Sequence, residues 1–235
     1  PMIRDEDGML SGYVYVDMTG RDVGGYVEDL KRVVREKVAL PPGYTIAWSG
    51  QYEFMQRVRE RLTIFIPLTI AIIFVLFYFT FRSVAETLMV MLGVPLSLVG
   101  GVWYMALLGY NMSIAVWVGI IALAGVAAET GVVMLIYLDE AYRQRVAAGP
   151  MRNPRDVAAA VQEGAVERLR PKVMTVVAIM AGLAPILWGG GTGADVMKRI
   201  AAPMVGGMVT STVLTLVVIP AIYFLWRSWE LRRTQ

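Results

Sequence analysis

A single carboxylate interrupts one of the longest apolar stretches of the sequence. Glu129 lies within residues 123–138, which read LAGVAAETGVVMLIYL. At a rise of about 1.5 Å per helical residue it lies about 13 Å from Leu138, so its side chain does not easily reach water. An ionisable group at that depth costs at least about 2.5 kcal/mol, and it usually faces a bundle interior where it has a partner or carries a proton. We therefore expect Glu129 to bind and release protons, with a structural hydrogen bond between helices as the alternative.

Lys172 is the candidate partner of Glu129, because it opens the next apolar run. Burial favours a neutral carboxyl group and a nearby ammonium favours the carboxylate, so small motions of such a pair would switch its protonation. The pair requires the two spans to be neighbours; otherwise Lys172 is an anchor at the membrane interface. The hydroxyls of Thr130, Thr175 and Ser211 are candidates to bridge the pair, or each serves its own helix backbone.

Methionine is the soft-metal ligand that this sequence offers. There are 15 methionines but no cysteine and no histidine, which excludes thiolate and imidazole metal sites, and catalysis by those side chains, within this segment. Thioethers favour soft ions such as Cu(I), but methionine also fills apolar cores. Met197 differs from the others because it lies among polar residues at the mouth of a span, in GADVMKR. Met197 is therefore the candidate metal ligand.

Five apolar runs position these side chains. They occupy about 62–81, 87–108, 112–138, 172–188 and 200–226. About 20 helical residues cross the hydrocarbon layer, and the fourth run is the shortest of the five. With 57% hydrophobic and 17% charged residues, the chain is predicted to be a mostly α membrane protein. Ala127 and Gly131 in the third run have the small-residue spacing that lets a second helix approach closely, so this helix is expected to be central.

Residues 1–61 are water-soluble in character and predict a partial α+β subdomain. The predicted elements are a strand over 11–18, a helix over 22–38, a strand over 44–48 and a helix over 51–61. Asp22 is the expected N-cap of the first helix, and the second helix is expected to continue into the first apolar run. Such a short segment is too small to bury a good core unaided.

Charge is distributed unevenly along the chain. Arginine and lysine are concentrated in the connection 139–171 and after the last apolar run, including the tail 229–235. The positive-inside rule places that connection and tail in the cytoplasm and residues 1–61 in a periplasm. We read the net charge of +3 as membrane topology rather than as a nucleic-acid surface. Because an odd number of spans separates the two ends and no signal peptide opens the sequence, we expect further spans upstream.

Four blocks of sequence resemble one family. They are LAGVAAETGVVMLIYL at 123–138, RLRPKVMT at 168–175, IAAPMVGG at 200–207 and YTIAWSGQYE at 44–53. They are similar to heavy-metal efflux pumps of the resistance-nodulation-division (RND) superfamily, specifically the copper/silver-exporting CusA-type branch. The resemblance covers essentially the whole chain. It implies five helices of a twelve-helix bundle, preceded by the end of a periplasmic porter subdomain.

The resemblance also implies a function. Such pumps are homotrimers of the bacterial inner membrane that join a periplasmic adaptor protein and an outer-membrane channel. They export Cu(I) or Ag(I) in exchange for protons, as secondary transporters rather than enzymes, without a covalently bound cofactor. Glu129 and Lys172 match two members of the family's proton relay, and Met197 matches one methionine of the metal path. Thr130 is a possible supporting residue.

Two alternatives stay open. A drug or hydrophobic-solute pump of the same superfamily would have aromatic-lined pockets rather than methionine ladders. A membrane scaffold or translocation helper without ion coupling would tolerate the replacement of Glu129 by glutamine. Because half of its pseudo-symmetric partner is missing, the segment is expected not to transport by itself.

Overall fold

The computed structural model describes residues 3–6, 8–17, 22–149 and 153–234. Its elements are the strands β1 (Ile3–Glu6) and β2 (Met9–Gly12) and the helices α1 (Val23–Lys37), α2 (Gln51–Phe81), α3 (Val84–Leu108), α4 (Ile114–Ala148), α5 (Pro154–Trp188), α6 (Ala194–Val213) and α7 (Ile219–Thr234). A π-helical turn, Leu214–Val218, joins α6 to α7. The predicted mostly α membrane fold is confirmed, since five helical segments are long and apolar enough to cross a bilayer.

The chain divides into two compact units, residues 1–61 and 62–235. In the first unit, β1 and β2 form an antiparallel hairpin. The predicted N-cap is confirmed, because a carboxylate oxygen of Asp22 accepts from the backbone N–H of Gly25 at 2.6 Å. The hydroxyl of Tyr52 accepts from Lys31 at 2.6 Å and donates to Glu28 at 2.9 Å, which ties α1 to the start of α2.

Two predicted strands of this unit are wrong. The strand predicted over 11–18 overlaps β2 only at its first two residues; 13–17 have no regular structure, and Met18 lies outside the described residues. The segment 44–48 has no strand either. Both segments have alternating apolar residues, but a strand also needs a neighbouring strand to take its backbone hydrogen bonds. The described sheet has two strands, and apart from Ser11 and Gly12 in β2 neither segment contributes to it.

In the second unit, α4 packs against α3, α5, α6 and α7, which confirms its predicted central position. The larger apolar core lies at the end of the bundle where α4 finishes and α5 begins. Its buried members are Met89, Val90, Met134, Leu135, Leu138, Val157, Val161, Ile219 and Tyr223. The apolar window of α2 buries none of its residues against the other described helices.

The connection predicted over 139–171 is mostly helical. The helix α4 continues to Ala148, and α5 begins at Pro154 and runs without a break through Pro171 to Trp188. Residues 150–152 of this connection lie outside the described residues. A proline removes a single helical hydrogen bond, so a helix that is packed on both sides of it can continue. Lys172 is consequently an internal residue of α5 rather than the residue that opens a span.

The last segment differs from its prediction at both ends. Helix α6 begins at Ala194, before the predicted start at 200. The predicted tail 229–235 is helical to Thr234, and Gln235 lies outside the described residues.

Helices α3 and α6 approach most closely at glycines. A Cβ atom placed on Gly100 would lie 2.5 Å from the carbonyl oxygen of Gly206, and one on Gly101 would lie 2.9 Å from that of Pro203. By contrast, a Cβ on Gly131 would make ordinary contacts, with its nearest neighbour 3.4 Å away. The two backbones are therefore in contact at Gly100 and Gly206, where no larger residue fits.

Candidate functional site

Glu129 lies near the middle of α4, on a face that the described helices leave uncovered. Its neighbours Ala127 and Thr130 are buried, whereas Glu129 is exposed, as is Gly125 one turn earlier on the same face. No atom lies within 4 Å of a Cβ built on Gly125. The sequence predicts that Glu129 faces the interior of the bundle. Among the described helices it does not, because its carboxylate faces away from the packed side of α4.

Lys172 is a buried residue of α5. Its side chain is 2% exposed, and its Nζ atom has no hydrogen-bond partner among the described residues. The ammonium interacts electrostatically with Arg168 on its own helix and with Glu129 on α4. The structure therefore places α4 and α5 side by side, as the pair requires, without a direct hydrogen bond between Glu129 and Lys172.

The three candidate bridging hydroxyls behave differently. Thr130 Oγ1 donates to the carbonyls of Val126 at 3.0 Å and Ala127 at 3.1 Å, on its own helix. Thr175 Oγ1 donates to Pro171 O at 3.0 Å. Ser211 Oγ is buried, and in the part of the chain that the structure describes it has no partner.

Met197 lies in the first turns of α6 and is about half exposed, at 49%. It lines a shallow, open depression of about 280 Å³ between the end of α5 and the start of α6. The other lining residues are Ile186, Gly189, Gly190, Thr192, Gly193 and Ala194. Met197 supplies the single sulfur atom of this lining, so a metal ion here would need further ligands from elsewhere.

A second group of charges, which the sequence analysis missed, joins three helices. The guanidinium of Arg227 on α7 donates to Glu86 on α3 at 3.1 Å and to Asp139 on α4 at 2.9 Å. It also donates to the hydroxyl of Tyr223 at 3.2 Å and to Glu230 at 2.9 Å. The hydroxyl of Tyr223 in turn donates to Asp139 at 3.2 Å. We call Glu86, Asp139, Tyr223, Arg227 and Glu230 the Arg227 cluster.

The Arg227 cluster is largely shielded from solvent. Glu86 is 3% exposed and Asp139 is 9% exposed. Aromatic rings cover the guanidinium, whose carbon lies 4.6 Å from the ring centre of Tyr142 and 4.2 Å from that of Trp226. Charged hydrogen bonds in such surroundings are stronger than those on a surface, and breaking them is costly.

A signal for the Arg227 cluster is present in the sequence. Glu86, Asp139 and Arg227 each lie immediately outside an apolar run, at 87–108, 112–138 and 200–226. All three positions fall on the same predicted side of the membrane, where opposite charges can pair. Membrane topology alone accounts for the basic residues there only in part, because Arg227 also pairs with Glu86 and Asp139.

A family model described as the AcrB/AcrD/AcrF family matches residues 1–227. The chain belongs to the AcrB/AcrD/AcrF family. Cation efflux system protein CusA of Escherichia coli (strain K12) is 47% identical over 228 residues, which cover 94% of this chain and 21% of that protein. Putative cation efflux system protein SilA of Salmonella typhimurium is 46% identical over 228 residues, with the same coverage of 94% and 21%.

Further proteins are similar to this chain at lower identity. Nickel and cobalt resistance protein CnrA of Cupriavidus metallidurans is 40% identical over 217 residues, covering 92% of this chain and 19% of CnrA. The crystal structure of a heavy metal efflux pump, crystal form II, superposes with a TM-score of 0.74 at 32% identity, covering 90% of this chain and 20% of the pump. These matches confirm the resemblance to heavy-metal efflux RND proteins. The chain spans about a fifth of the length of the relatives it matches.

Proposed function

We propose that this chain is the carboxy-terminal part of a proton-driven pump that exports Cu(I) and Ag(I) across the bacterial inner membrane. The relatives with 46–47% identity are named cation efflux proteins, and a heavy metal efflux pump shares the fold. Because the chain is about a fifth as long as these relatives, the proposal concerns the parent protein that contains it. That parent is a secondary transporter rather than an enzyme.

In this proposal Glu129 binds and releases the driving proton and Lys172 modulates it. The observation that carries the proposal is a fully buried ammonium without a hydrogen-bond partner among the described residues, in the same region as a mid-span carboxylate. A carboxylate that faced lipid would cost at least about 2.5 kcal/mol. The uncovered face of α4 with Gly125 and Glu129 is therefore the face on which further helices of the parent would pack.

The choice of a monovalent soft ion rests on ligand chemistry. The chain offers methionine thioethers but no imidazole or thiolate. Among the described residues, no three Asp or Glu side chains gather into a group that could hold a metal ion. Thioethers suit Cu(I), whereas imidazole suits ions such as Zn²⁺ and Ni²⁺ and carboxylate suits harder ions such as Mg²⁺ and Mn²⁺. Met197 would be one station of the metal path, completed by ligands from the remainder of the parent.

Assembly and orientation belong to the same proposal. The pump would be a homotrimer that joins a periplasmic adaptor protein and an outer-membrane channel. Residues 1–61 would be periplasmic and the carboxy terminus cytoplasmic. Arginines support this orientation, because they gather at the end of the bundle where α4 and α7 finish and α5 begins. They include Arg143, Arg145, Arg155, Arg232 and Arg233.

The proposed function is tested by Ag(I) uptake into inverted vesicles that contain the parent protein with Glu129→Gln. Glu140→Gln is the matched control, because Glu140 is an exposed residue of the same helix that pairs with Gln144. We expect Glu129→Gln to abolish proton-driven uptake with normal expression and trimer assembly, and Glu140→Gln to retain it. Uptake at the parental rate in Glu129→Gln would refute proton coupling through this residue. It would then favour the alternative of a membrane scaffold without ion coupling.

A further inference from the structure

The connection between α5 and α6 is short and rich in glycine. It covers residues 189–193 and reads GGGTG. The backbone φ angles of Gly191 and Gly193 are +121° and +82°. Residues with a Cβ atom rarely adopt such angles, because the side chain collides with the backbone, whereas glycine adopts them freely. The path of the chain through this turn therefore requires glycine at both positions.

This turn sets the start of α6. Gly193 is the N-cap residue, and the N–H of Ala194 donates to the carbonyl of Gly191 at 3.1 Å. The N–H of Met197 donates to the carbonyl of Gly193 at 3.2 Å. Since an α-helix joins each N–H to the carbonyl four residues earlier, this is the first hydrogen bond of α6. The conformation of Gly193 therefore determines how the backbone of Met197 enters the helix.

Lack of space does not explain the glycine at position 193. Among the described residues, no atom lies within 4 Å of a Cβ atom built on Gly193. By contrast, a Cβ atom on Gly206 would collide with Tyr104 and with the carbonyl oxygen of Gly100. Gly193 thus differs from the glycines at helix contacts, and its positive φ angle is the property that a larger residue would lose.

The later turns of α6 are held by separate contacts. A Cβ atom on Gly119 would lie 2.6 Å from Cγ of Pro203, so α6 packs closely against α4 at that level. The guanidinium carbon of Arg199 lies 5.4 Å from the ring centre of Tyr110, which follows α3. These contacts fix the axis of α6. Met197 precedes both of them, in the part of the helix that follows directly from the glycine turn.

The glycine turn and Met197 border the same depression. Gly189, Gly190, Thr192 and Gly193 line it together with Met197. Met197 is 49% exposed, so part of its side chain is open to an ion that arrives there. A thioether suits a soft monovalent ion, and a ligand is effective when its surroundings hold it in place. A change of backbone conformation at Gly193 would therefore move a wall of the depression and the sulfur ligand together.

We propose that Gly193 is a positioning residue for Met197: its left-handed backbone conformation starts α6 at Ala194 and thereby holds the thioether of Met197 at the depression, where the transported soft ion meets it. Gly193 itself supplies no ligand. This inference rests on the proposed place of Met197 in the metal path, and it adds a residue that acts on the ion through Met197.

The test is the rate of Ag(I) uptake by the full-length parent with Gly193→Ala and Gly193→Asn, at limiting and at saturating Ag(I). Alanine in the left-handed region is disfavoured by about tenfold or more. We therefore expect Gly193→Ala to lower uptake about tenfold at limiting Ag(I) and to approach the parental rate at saturating Ag(I). Asparagine adopts this conformation more readily than alanine, so Gly193→Asn should restore most of the uptake at limiting Ag(I).

Gly109→Ala is the matched control. Gly109, the C-cap residue of α3, has a φ angle of +66°, and no atom among the described residues lies within 4 Å of a Cβ atom built on it. Alanine therefore meets the same backbone strain there, away from Met197. We expect Gly109→Ala to keep the parental uptake at limiting Ag(I). An equal loss in Gly109→Ala and Gly193→Ala would show general destabilisation and overturn the positioning role.

A double variant separates positioning from other effects. Because Gly193 acts through Met197, Gly193→Ala combined with Met197→Leu should match Met197→Leu alone, and a further loss in the double variant would overturn the proposal. Parental uptake in Gly193→Ala together with reduced uptake in Met197→Leu would overturn the positioning role and leave Met197 in the metal path. Parental uptake in both single variants would overturn both proposals. If Gly193→Ala does not accumulate in the membrane, Gly191→Ala gives the same decision, because the carbonyl of Gly191 holds the N–H of Ala194.

Discussion

The Nη2 atom of Arg227 donates to Oδ1 of Asp139 at 2.9 Å, although 88 positions separate the two residues in sequence. The same nitrogen lies 3.1 Å from Oε1 of Glu86. One guanidinium thus holds α3, α4 and α7 together. Removing one partner of such a buried group leaves the other charges uncompensated. The free-energy cost of that removal is much larger than the stabilisation that the intact group provides.

Replacing Arg227 by methionine is therefore expected to lower the free energy of unfolding of the parent by about 3–5 kcal/mol. Arg143→Met is the control, because Arg143 also pairs with Asp139, at 2.7 Å, but its side chain is 72% exposed. Exposed pairs contribute about 1 kcal/mol or less. Thermal unfolding of the purified protein in detergent measures both, and equal losses would contradict the importance of burial.

Tyr223 gives a finer test of the same cluster. Its hydroxyl both accepts from Arg227 and donates to Asp139. Tyr223→Phe keeps the ring and removes these bonds, so we expect a loss of about 1–3 kcal/mol in unfolding free energy. Tyr142→Phe is the comparison, because Tyr142 contributes its ring face to Arg227. Phenylalanine keeps that ring face, so we expect Tyr142→Phe to change the unfolding free energy little, and a loss equal to that of Tyr223→Phe would contradict the importance of the Tyr223 hydrogen bonds.

The contact between α3 and α6 predicts a strong asymmetry among glycines. A side chain at Gly206 would collide with the carbonyl oxygen of Gly100, and relief requires the two helices to separate. We expect Gly206→Ala to cost about 1–3 kcal/mol, as overpacking of a core does. Gly182→Ala on α5 has no atom within 4 Å of the new Cβ and should be neutral or stabilising by up to about 1 kcal/mol. Unfolding in detergent compares the two variants, and similar effects would refute the close approach.

A substitution of Met197 tests the proposed metal path. Met197→Leu keeps the size of the side chain and removes the sulfur, so we expect lower silver tolerance in cells that depend on the parent pump. Met134→Leu is the control, since Met134 is a fully buried core residue for which such a swap is mild. Expression levels are measured in parallel. Equal silver tolerance in both variants and the parent would remove Met197 from the metal path.

Long apolar runs could be read from the sequence because they depend on composition alone. The run at 62–81 falls within α2, and the run at 112–138 lies in α4 from residue 114 onwards. Helix ends were less predictable. Continuation of α5 through Pro171 depends on packing against α4, and the strands expected at 11–18 and 44–48 depend on partner strands, neither of which a local pattern reveals.

The candidate site was predicted in part. Glu129 and Lys172 were identifiable because ionisable residues are rare in apolar runs, and the structure brings their helices together. The direction in which Glu129 faces depends on the rotation of α4 against its neighbours.

The order of synthesis gives the Arg227 cluster a further significance. Arg227 follows Glu86 by 141 positions, so at a translation rate of about 5–20 residues per second Glu86 waits roughly 7–28 s for its partner. During that interval Asp139 has Arg143 as a partner at 2.7 Å, whereas Glu86 lacks the guanidinium that binds it in the completed chain. The ion pair that joins α3 to α7 therefore forms only after the last helix has been made.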